Sequence, residues 1–294
     1  MNRQQIIFIL TAVIAVFLLF VFGRTVADHS GHNHVSPNPS AAGTAAGLDF
    51  PTMLGLAKKR LTSQQLEKVT QWENAVVRGD VKDQQIQSYK TLSRFWMDSI
   101  GAFVPYVKYM GEAAKLESSE KNLTFAAHLL LAELQKVEEE PLKIWMAKEA
   151  KELFEKALEL NSANDSTKVG LGSTYFFGAA AANEPPMKGI GLIREVAEKN
   201  PNNAFAQYML GVGSSVSGQW PKAIERFTKV AELEPGNLEV QLRLADINER
   251  TGDKAAAKKW YERLLQTIKS QEKSGKLKPN PEMVKQIEEH VKSL

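Results

Sequence analysis

From Pro51 to the end of the chain, apolar residues recur three or four positions apart, which is the spacing of one face of an α-helix. The region is rich in Leu, Ala, Lys, Glu and Gln and shows no strand-like alternation of apolar and polar residues. Thr62 and Gln65 have the spacing of a capping box, which predicts that a helix begins here. The pattern therefore predicts an all-α body.

A period of 34 residues appears in the second half of this body. Asn200-Pro201 recurs as Glu234-Pro235, and the same offset relates Leu210 to Leu244. Repetition at this length is typical of stacked helix–turn–helix units, each of which buries its apolar face on its neighbours. The period predicts an α-solenoid of helical hairpins.

The repeated residues resemble the signature of the tetratricopeptide repeat family. The resemblance is specific over residues 204–265, where small and large signature positions follow in the family's order. A third unit before them carries about five extra residues around 183–186, which predicts a longer turn. The matching positions are Gly172, Gly189, Pro201, Leu210, Gly211, Ala223, Phe227, Pro235, Ala245, Ala257 and Tyr261. The resemblance implies that the small residues let two helices approach closely and that the aromatic rings fill the space towards the next hairpin.

The family resemblance also implies a binding groove, because the first helix of each hairpin lines a surface that receives a peptide or a partner helix. Projected onto this chain, the groove residues are Phe205, Tyr208, Val212, Glu239, Leu242 and Asp246, with Val169 and Ser173 in the unit before. The family subclass that binds chaperone C-terminal carboxylates is not matched, since acidic groups in this set would repel a carboxylate.

The N-terminal segment predicts a transmembrane helix. Ile6–Phe22 is an unbroken run of 17 residues, apolar except for Thr11, and 20 residues separate Arg3 from Arg24. That length spans the hydrocarbon layer of a bilayer, which is about 30 Å thick. The alternative is a cleaved signal peptide, whose apolar core is normally about 7–15 residues. A first helix so near the start commonly acts as a signal-anchor, so the body is expected on the periplasmic side of a bacterial inner membrane.

The segment 28–50 predicts a flexible tether, since it is rich in Ser, Gly, Ala, Pro and Asn and has little to bury. It contains His29, His32 and His34, three of the protein's five histidines. Imidazoles so spaced can chelate zinc, copper or nickel, although a linker offers no second set of contacts to orient the rings. A solvated linker and a metal-binding segment are the two interpretations.

Composition narrows the chemistry further. The chain has no cysteine, which excludes a disulfide framework, a thiol nucleophile and thiolate metal sites. A net charge of +3 from 37 basic and 34 acidic residues gives no basic field for nucleic acid. No phosphate-binding loop or catalytic arrangement is evident, so neither enzymatic activity nor a cofactor is predicted.

The predicted organisation has five parts. They are a transmembrane anchor with short flanks (1–27), the tether (28–50), a helical N-terminal cap or degenerate repeats (51–121), a tetratricopeptide-type solenoid (122–269), and a linker with a C-terminal capping helix (270–294).

The predicted function is a membrane-anchored scaffold for protein–protein interaction in periplasmic assembly or biogenesis. The layout is similar to that of cytochrome c maturation factors, by analogy of architecture alone. The alternatives are a metal-handling protein that uses the tether, and an enzyme with an unrecognised site in residues 51–160.

Overall fold

In the computed structural model, residues 48–78, 81–178 and 186–294 are described, and every regular element among them is helical. The all-α prediction is therefore confirmed for these residues. In chain order the helices are α1 (Phe50–Lys58), α2 (Ser63–Arg78), α3 (Lys82–Arg94, continued by a π-helical turn, Phe95–Ile100), α4 (Phe103–Glu117), α5 (Glu120–Leu134), α6 (Glu140–Leu160), α7 (Asp165–Phe177), α8 (Pro186–Lys199), α9 (Ala204–Val216), α10 (Trp220–Leu233), α11 (Leu238–Arg250), α12 (Lys254–Lys273) and α13 (Pro281–Ser293).

The helices pair in sequence order into five hairpins, α3–α4, α5–α6, α7–α8, α9–α10 and α11–α12. The second helix of each hairpin also packs against the first helix of the next. Such a stack buries each unit's apolar face on its neighbours, as a solenoid requires. The helix α13 follows the last hairpin and packs against α12.

Three asparagines start the first helices of successive hairpins. Asn164, Asn203 and Asn237 each accept a hydrogen bond from the backbone N–H three residues later, at 2.9–3.1 Å. An Asn in this position satisfies an N–H that the helix itself leaves without a partner. The second and third caps are 34 residues apart and the first and second 39 apart, so the insertion of five residues falls in the third hairpin. Residues 179–185, where a longer turn is predicted, lie outside the described residues.

A second repeated bond ties each of two first helices to the turn before it. The side-chain amide of Gln207 donates to the carbonyl oxygen of Pro201 at 2.9 Å, and that of Gln241 donates to Pro235 at 2.7 Å. Both glutamines are buried, and a buried amide is costly unless it is hydrogen-bonded. These contacts fix the angle between one hairpin and the next at the prolines that end the preceding unit.

Small residues bring the helices of a hairpin together. A Cβ added at Gly211 would lie 2.7 Å from Cε1 of Phe227, whose ring is fully buried. At Gly172 it would lie 2.6 Å from the carbonyl oxygen of Gly189, so the backbones of α7 and α8 are in contact there. Ala223, Ala245 and Ala257 hold the corresponding small positions elsewhere and are fully buried, and Tyr261 repeats the position of Phe227.

The last helix covers the end of the stack with one apolar side. Met283, Val284, Ile287 and Val291 are half-buried against a cluster that contains Tyr261. The Nε2 atom of His290 lies 2.8 Å from a carboxylate oxygen of Glu249 in α11. The helix therefore covers apolar surface that the last hairpin would otherwise expose.

We expect Gly211→Ala to lower the free energy of unfolding by about 1–3 kcal/mol, because the new methyl must displace a buried ring. Gly213→Ala, on the same helix, is the matched control. Its methyl would meet only Cε2 of Phe176, at 3.7 Å, so better helix propensity makes it neutral or stabilising by up to about 1 kcal/mol. Urea unfolding followed by circular dichroism measures both, and equal shifts for the two variants would contradict the packing described.

Candidate partner-binding surface

The best candidate for a binding surface lies on the exposed side of α9 and α11, which are the first helices of the last two hairpins. Leu242 is 40% exposed on α11, and Val216 is 73% exposed at the end of α9. Apolar side chains at this exposure offer contact area to a partner. We call Val216, Leu242, Arg243 and Arg250, with Trp220 between the two helices, the first-helix surface.

A three-residue cluster joins the two hairpins at this surface. The hydroxyl of Tyr208 donates to a carboxylate oxygen of Glu239, which also accepts from the guanidinium of Arg243 at 2.8 Å. The same guanidinium lies 5.5 Å from the ring centroid of Tyr208. Glu239 and Tyr208, both predicted as groove residues, are thus brought together and held by each other.

The charges in this cluster stabilise one another. Burial, followed by the hydrogen bond to Glu239, raises the pKa of Tyr208 to about 12. Burial opposes ionisation of Glu239, but the hydrogen bonds from Tyr208 and Arg243 outweigh it and lower the pKa of the carboxyl group. The Glu239 carboxylate is therefore charged and paired locally with Arg243, which offsets its own repulsion of an acidic ligand.

Beside the cluster, a cavity of about 470 Å³ opens between the hairpins. Its walls combine apolar and charged side chains, and they are Ser215, Val216, Gly218, Trp220, Arg243, Asp246, Ile247 and Arg250. Arg250 lies 5.3 Å from the ring centroid of Trp220 and forms no ion pair with any described residue. Asp246 lines the cavity, but its carboxylate accepts from the hydroxyl of Tyr261 at 2.7 Å. The site therefore offers an apolar wall together with the Arg250 cation and the Asp246 carboxylate, neither of which forms an ion pair with a described residue.

Three residues predicted to line the groove are buried instead. Val169 and Ser173 are fully buried, and Val212 is only 6% exposed within a cluster that contains Val240 and Leu244 of the next hairpin. The prediction was wrong for these residues because neighbouring first helices pack closely enough to cover them. On α9, the first exposed position comes one helical turn after Val212, at Val216.

Phe205 also lies apart from the predicted groove. Its ring centroid is 5.7 Å from that of His128, which belongs to α5, two hairpins earlier. His128 also stands edge-on against Phe154 at 5.0 Å, and its Nε2 atom lies 3.1 Å from the hydroxyl of Ser166. The helix α7 is glycine-rich at this point, so the side chains of α5 and α9 meet across it. The contact interrupts the row of first helices at α7.

The sequence interpretation missed Val216, Trp220 and Arg250. A signal for two of them was present, since Val216 and Arg250 are 34 residues apart and lie one helical turn beyond Val212 and Asp246. Trp220 had no such signal, because only the fold shows that its ring lies under Arg250.

The predicted anchor, residues 6–22, and the predicted metal ligands His29, His32 and His34 lie outside the described residues. Across the residues that the structure describes, no helix is both long and apolar enough to cross a membrane. The same part of the chain contains no group of three or more His, Asp or Glu residues that could hold a metal ion.

In the region 51–160, where an unrecognised enzyme site was the alternative, the described side chains form two apolar clusters. A cavity of about 430 Å³ lies between α3, α4 and α5. Of its polar side chains, Lys90 pairs with Glu117, and the hydroxyl of Ser93 donates to the carbonyl oxygen of Tyr106 at 3.0 Å. The ion pair and the hydrogen bond both link α3 to α4, so these polar groups stabilise the packing of the two helices.

Comparison with known families identifies the repeat. Residues 217–273, from the turn before α10 to the end of α12, match the tetratricopeptide repeat family. The predicted tetratricopeptide character is confirmed for that segment. No curated protein matches the chain in sequence.

Solved structures similar to this chain include proteins of about 17–20% identity. One is MamA 41-end from Desulfovibrio magneticus RS-1, with a TM-score of 0.45 and 20% identity over 63% of this chain and 96% of that chain. Another is a crystal structure of MamA, with a TM-score of 0.45 and 18% identity over 67% and 98%. A third is YrrB, described as a TPR protein with an unusual peptide-binding site, with a TM-score of 0.42 and 17% identity over 76% and 98%.

We expect the contact of His128 to make the fold less stable in acid. Burial of the ring lowers the pKa of His128 below its usual value, and the hydrogen bond with Ser166 opposes the shift only in part. The unfolded chain therefore takes up a proton near pH 6.5 while the folded chain does not, so stability is lost as the pH falls below about 6.5. Urea unfolding at about pH 7.5 and pH 5.5 should show a smaller loss in His128→Gln than in the wild type. Equal losses in both proteins would contradict this account.

Proposed function

We propose that this chain is a membrane-anchored scaffold that binds a segment of another protein at the first-helix surface. The observation that supports the proposal most directly is the cavity between α9 and α11, where the exposed side chain of Val216 adjoins Arg250, with Leu242 also exposed on α11. Tetratricopeptide repeats present such surfaces to peptides and partner helices, and residues 217–273 match that family.

The chemistry of the surface favours a segment that carries apolar side chains beside an acidic one. Val216 and Leu242 offer contact area to an apolar side chain, and Arg250 offers a guanidinium already held over an aromatic ring. A guanidinium with fixed geometry recognises a carboxylate well because little side-chain freedom is lost on binding.

The proposal places the scaffold at a bacterial inner membrane with its repeats in the periplasm. The support is the apolar run Ile6–Phe22, which has the length of a bilayer-spanning helix and cationic residues at both ends. A role in periplasmic assembly or biogenesis follows from that location together with a binding surface.

The binding surface can be tested by photo-crosslinking. We expect a photoreactive amino acid at Val216, in the full-length protein in its own membranes, to capture a discrete partner. The matched control is Val77, which is 84% exposed on α2, and it should not capture that partner.

Leu242→Ala should lower capture at Val216 about fivefold or more, because it removes an apolar contact. Leu66→Ala is its control, since Leu66 and Leu242 are both 40% exposed. Equal capture from Val77, or no loss with Leu242→Ala, would count against the surface.

The anchor is tested separately by fractionation. We expect the full-length protein to remain with membranes after an alkaline carbonate wash, and a variant without residues 6–22 to be released from them or to stay in the cytoplasm. Protease added to spheroplasts should digest the repeats of the wild type if they face the periplasm. A washed-off wild type, or repeats protected in intact spheroplasts, would contradict the anchor or its orientation respectively.

A further inference from the structure

A second cavity lies on the other side of the α9–α10 hairpin, between α8, α9 and α10. Its volume is about 320 Å³, which is at the small end of the range for ligand sites. The lining comes from α8, α9, α10 and the turn after α9, with Phe176 of α7, and it shares no residue with the first-helix surface. The proposed function leaves this cavity without a role.

The floor of the cavity is aliphatic. Ile193 and Met209 are each 2% exposed at its base, and Ile190 and Leu210 are half-buried in its walls. Met187 stands at the mouth and is 65% exposed. Such a floor takes up an apolar chain and offers it no hydrogen bonds.

The mouth of the cavity is cationic. Arg194, Lys222 and Arg226 line it together with a single acid, Glu225. None of the three cations forms an ion pair with a carboxylate of the described residues: Lys222 donates to the side chain of Gln219 and Arg226 to that of Gln207. Three cations beside one carboxylate form a site that favours an anion.

The neighbouring depression between α10 and α12 shows that this charge balance is not a property of every junction. It is lined by Lys259 and Arg263 against Glu232 and Glu262, so its charges balance. The position of Arg226 is taken there by Trp260, 34 residues later. Of these two sites, only the cavity between α8, α9 and α10 therefore has an excess of cations over an aliphatic floor.

We propose that this cavity binds a single-chain aliphatic carboxylate, with the hydrocarbon chain on the floor and the carboxylate between Arg194 and Lys222. A cavity of about 320 Å³ suits a short single-chain carboxylate such as octanoate. A longer chain extends past Met187 towards solvent. Charge-assisted hydrogen bonds from the cations fix the head group, and burial of the chain provides most of the affinity.

The test uses an aliphatic carboxylate that carries a diazirine near its chain end. The full-length protein in lipid nanodiscs is illuminated with this probe, and the labelled peptides are mapped by mass spectrometry. We expect saturable labelling within residues 187–194 and 209–217, displaced by octanoate but not by octanol. Equal displacement by octanol would overturn the assignment of the cations, and labelling that does not saturate would overturn the site.

Two kinds of variant separate charge from shape. Arg194→Gln with Lys222→Gln should raise the octanoate concentration needed for half-displacement about tenfold or more, since each substitution removes a charge-assisted contact. Lys259→Gln, in the neighbouring depression, should leave it unchanged. A shift of less than twofold in the double variant would contradict the proposal.

The shape of the cavity is tested by filling it. Gly213 lines the cavity, and a Cβ there would meet only Phe176, at 3.7 Å, so Gly213→Leu should fold and place its side chain where the ligand chain lies. Gly191→Leu is the matched control, because a Cβ at Gly191 would meet nothing within 4 Å and Gly191 does not line the cavity. Labelling should be lost in the first variant and kept in the second, with circular dichroism checking that both are folded. Labelling that persists in folded Gly213→Leu would overturn the site.

Discussion

The structure depends on how closely the helices of each hairpin approach. Where the ring of Phe227 rests on Gly211, and where the backbones of Gly172 and Gly189 touch, no methyl group fits without displacing its neighbour. Protein interiors are packed too densely to absorb such a change cheaply. The spacing set at these points determines which side chains of the first helices reach the surface and which are covered by the next hairpin.

This spacing explains what the sequence could and could not predict. The period of 34 residues and the small positions were sufficient to predict the helical class and the repeat, because both follow from the local sequence pattern.

The binding surface was predicted less well. Val169, Ser173 and Val212 occupy groove positions in the repeat, yet the neighbouring helices bury them. Burial there depends on the distance between helices that are far apart in sequence, and a period carries no information about that distance. The contact of His128 with Phe205 could not be predicted for the same reason, since it joins helices two hairpins apart.

Equivalent positions in successive repeats show how one framework supports different surfaces. Gln207 and Gln241 both donate to the preceding proline carbonyl, so this bond belongs to the framework. Their carbonyl oxygens differ: that of Gln207 accepts from Arg226 at 2.7 Å, whereas that of Gln241 is buried without a hydrogen-bond partner among the described residues. The difference arises because position 260 holds a tryptophan where position 226 holds an arginine. Leaving one buried acceptor unpaired costs about 1–3 kcal/mol. In the α11–α12 hairpin, Trp260 stands where an arginine could donate to the Gln241 oxygen, so the two hairpins share a framework but not this bond.

The α9–α10 hairpin contributes to two proposed sites, and a hydrogen bond between its two helices reaches the mouth of one of them. Gln207 lies in α9, whose end carries Val216, and its side-chain carbonyl oxygen accepts a hydrogen bond from Arg226, which lines the other cavity. Two ligands can influence each other only if each favours a different arrangement of a shared element. The hairpin has little freedom for a second arrangement, because Phe227 is fully buried and closely packed on Gly211. Close packing of the helices therefore favours two sites that bind independently, and this would allow the chain to hold a protein segment and an aliphatic carboxylate at the same time.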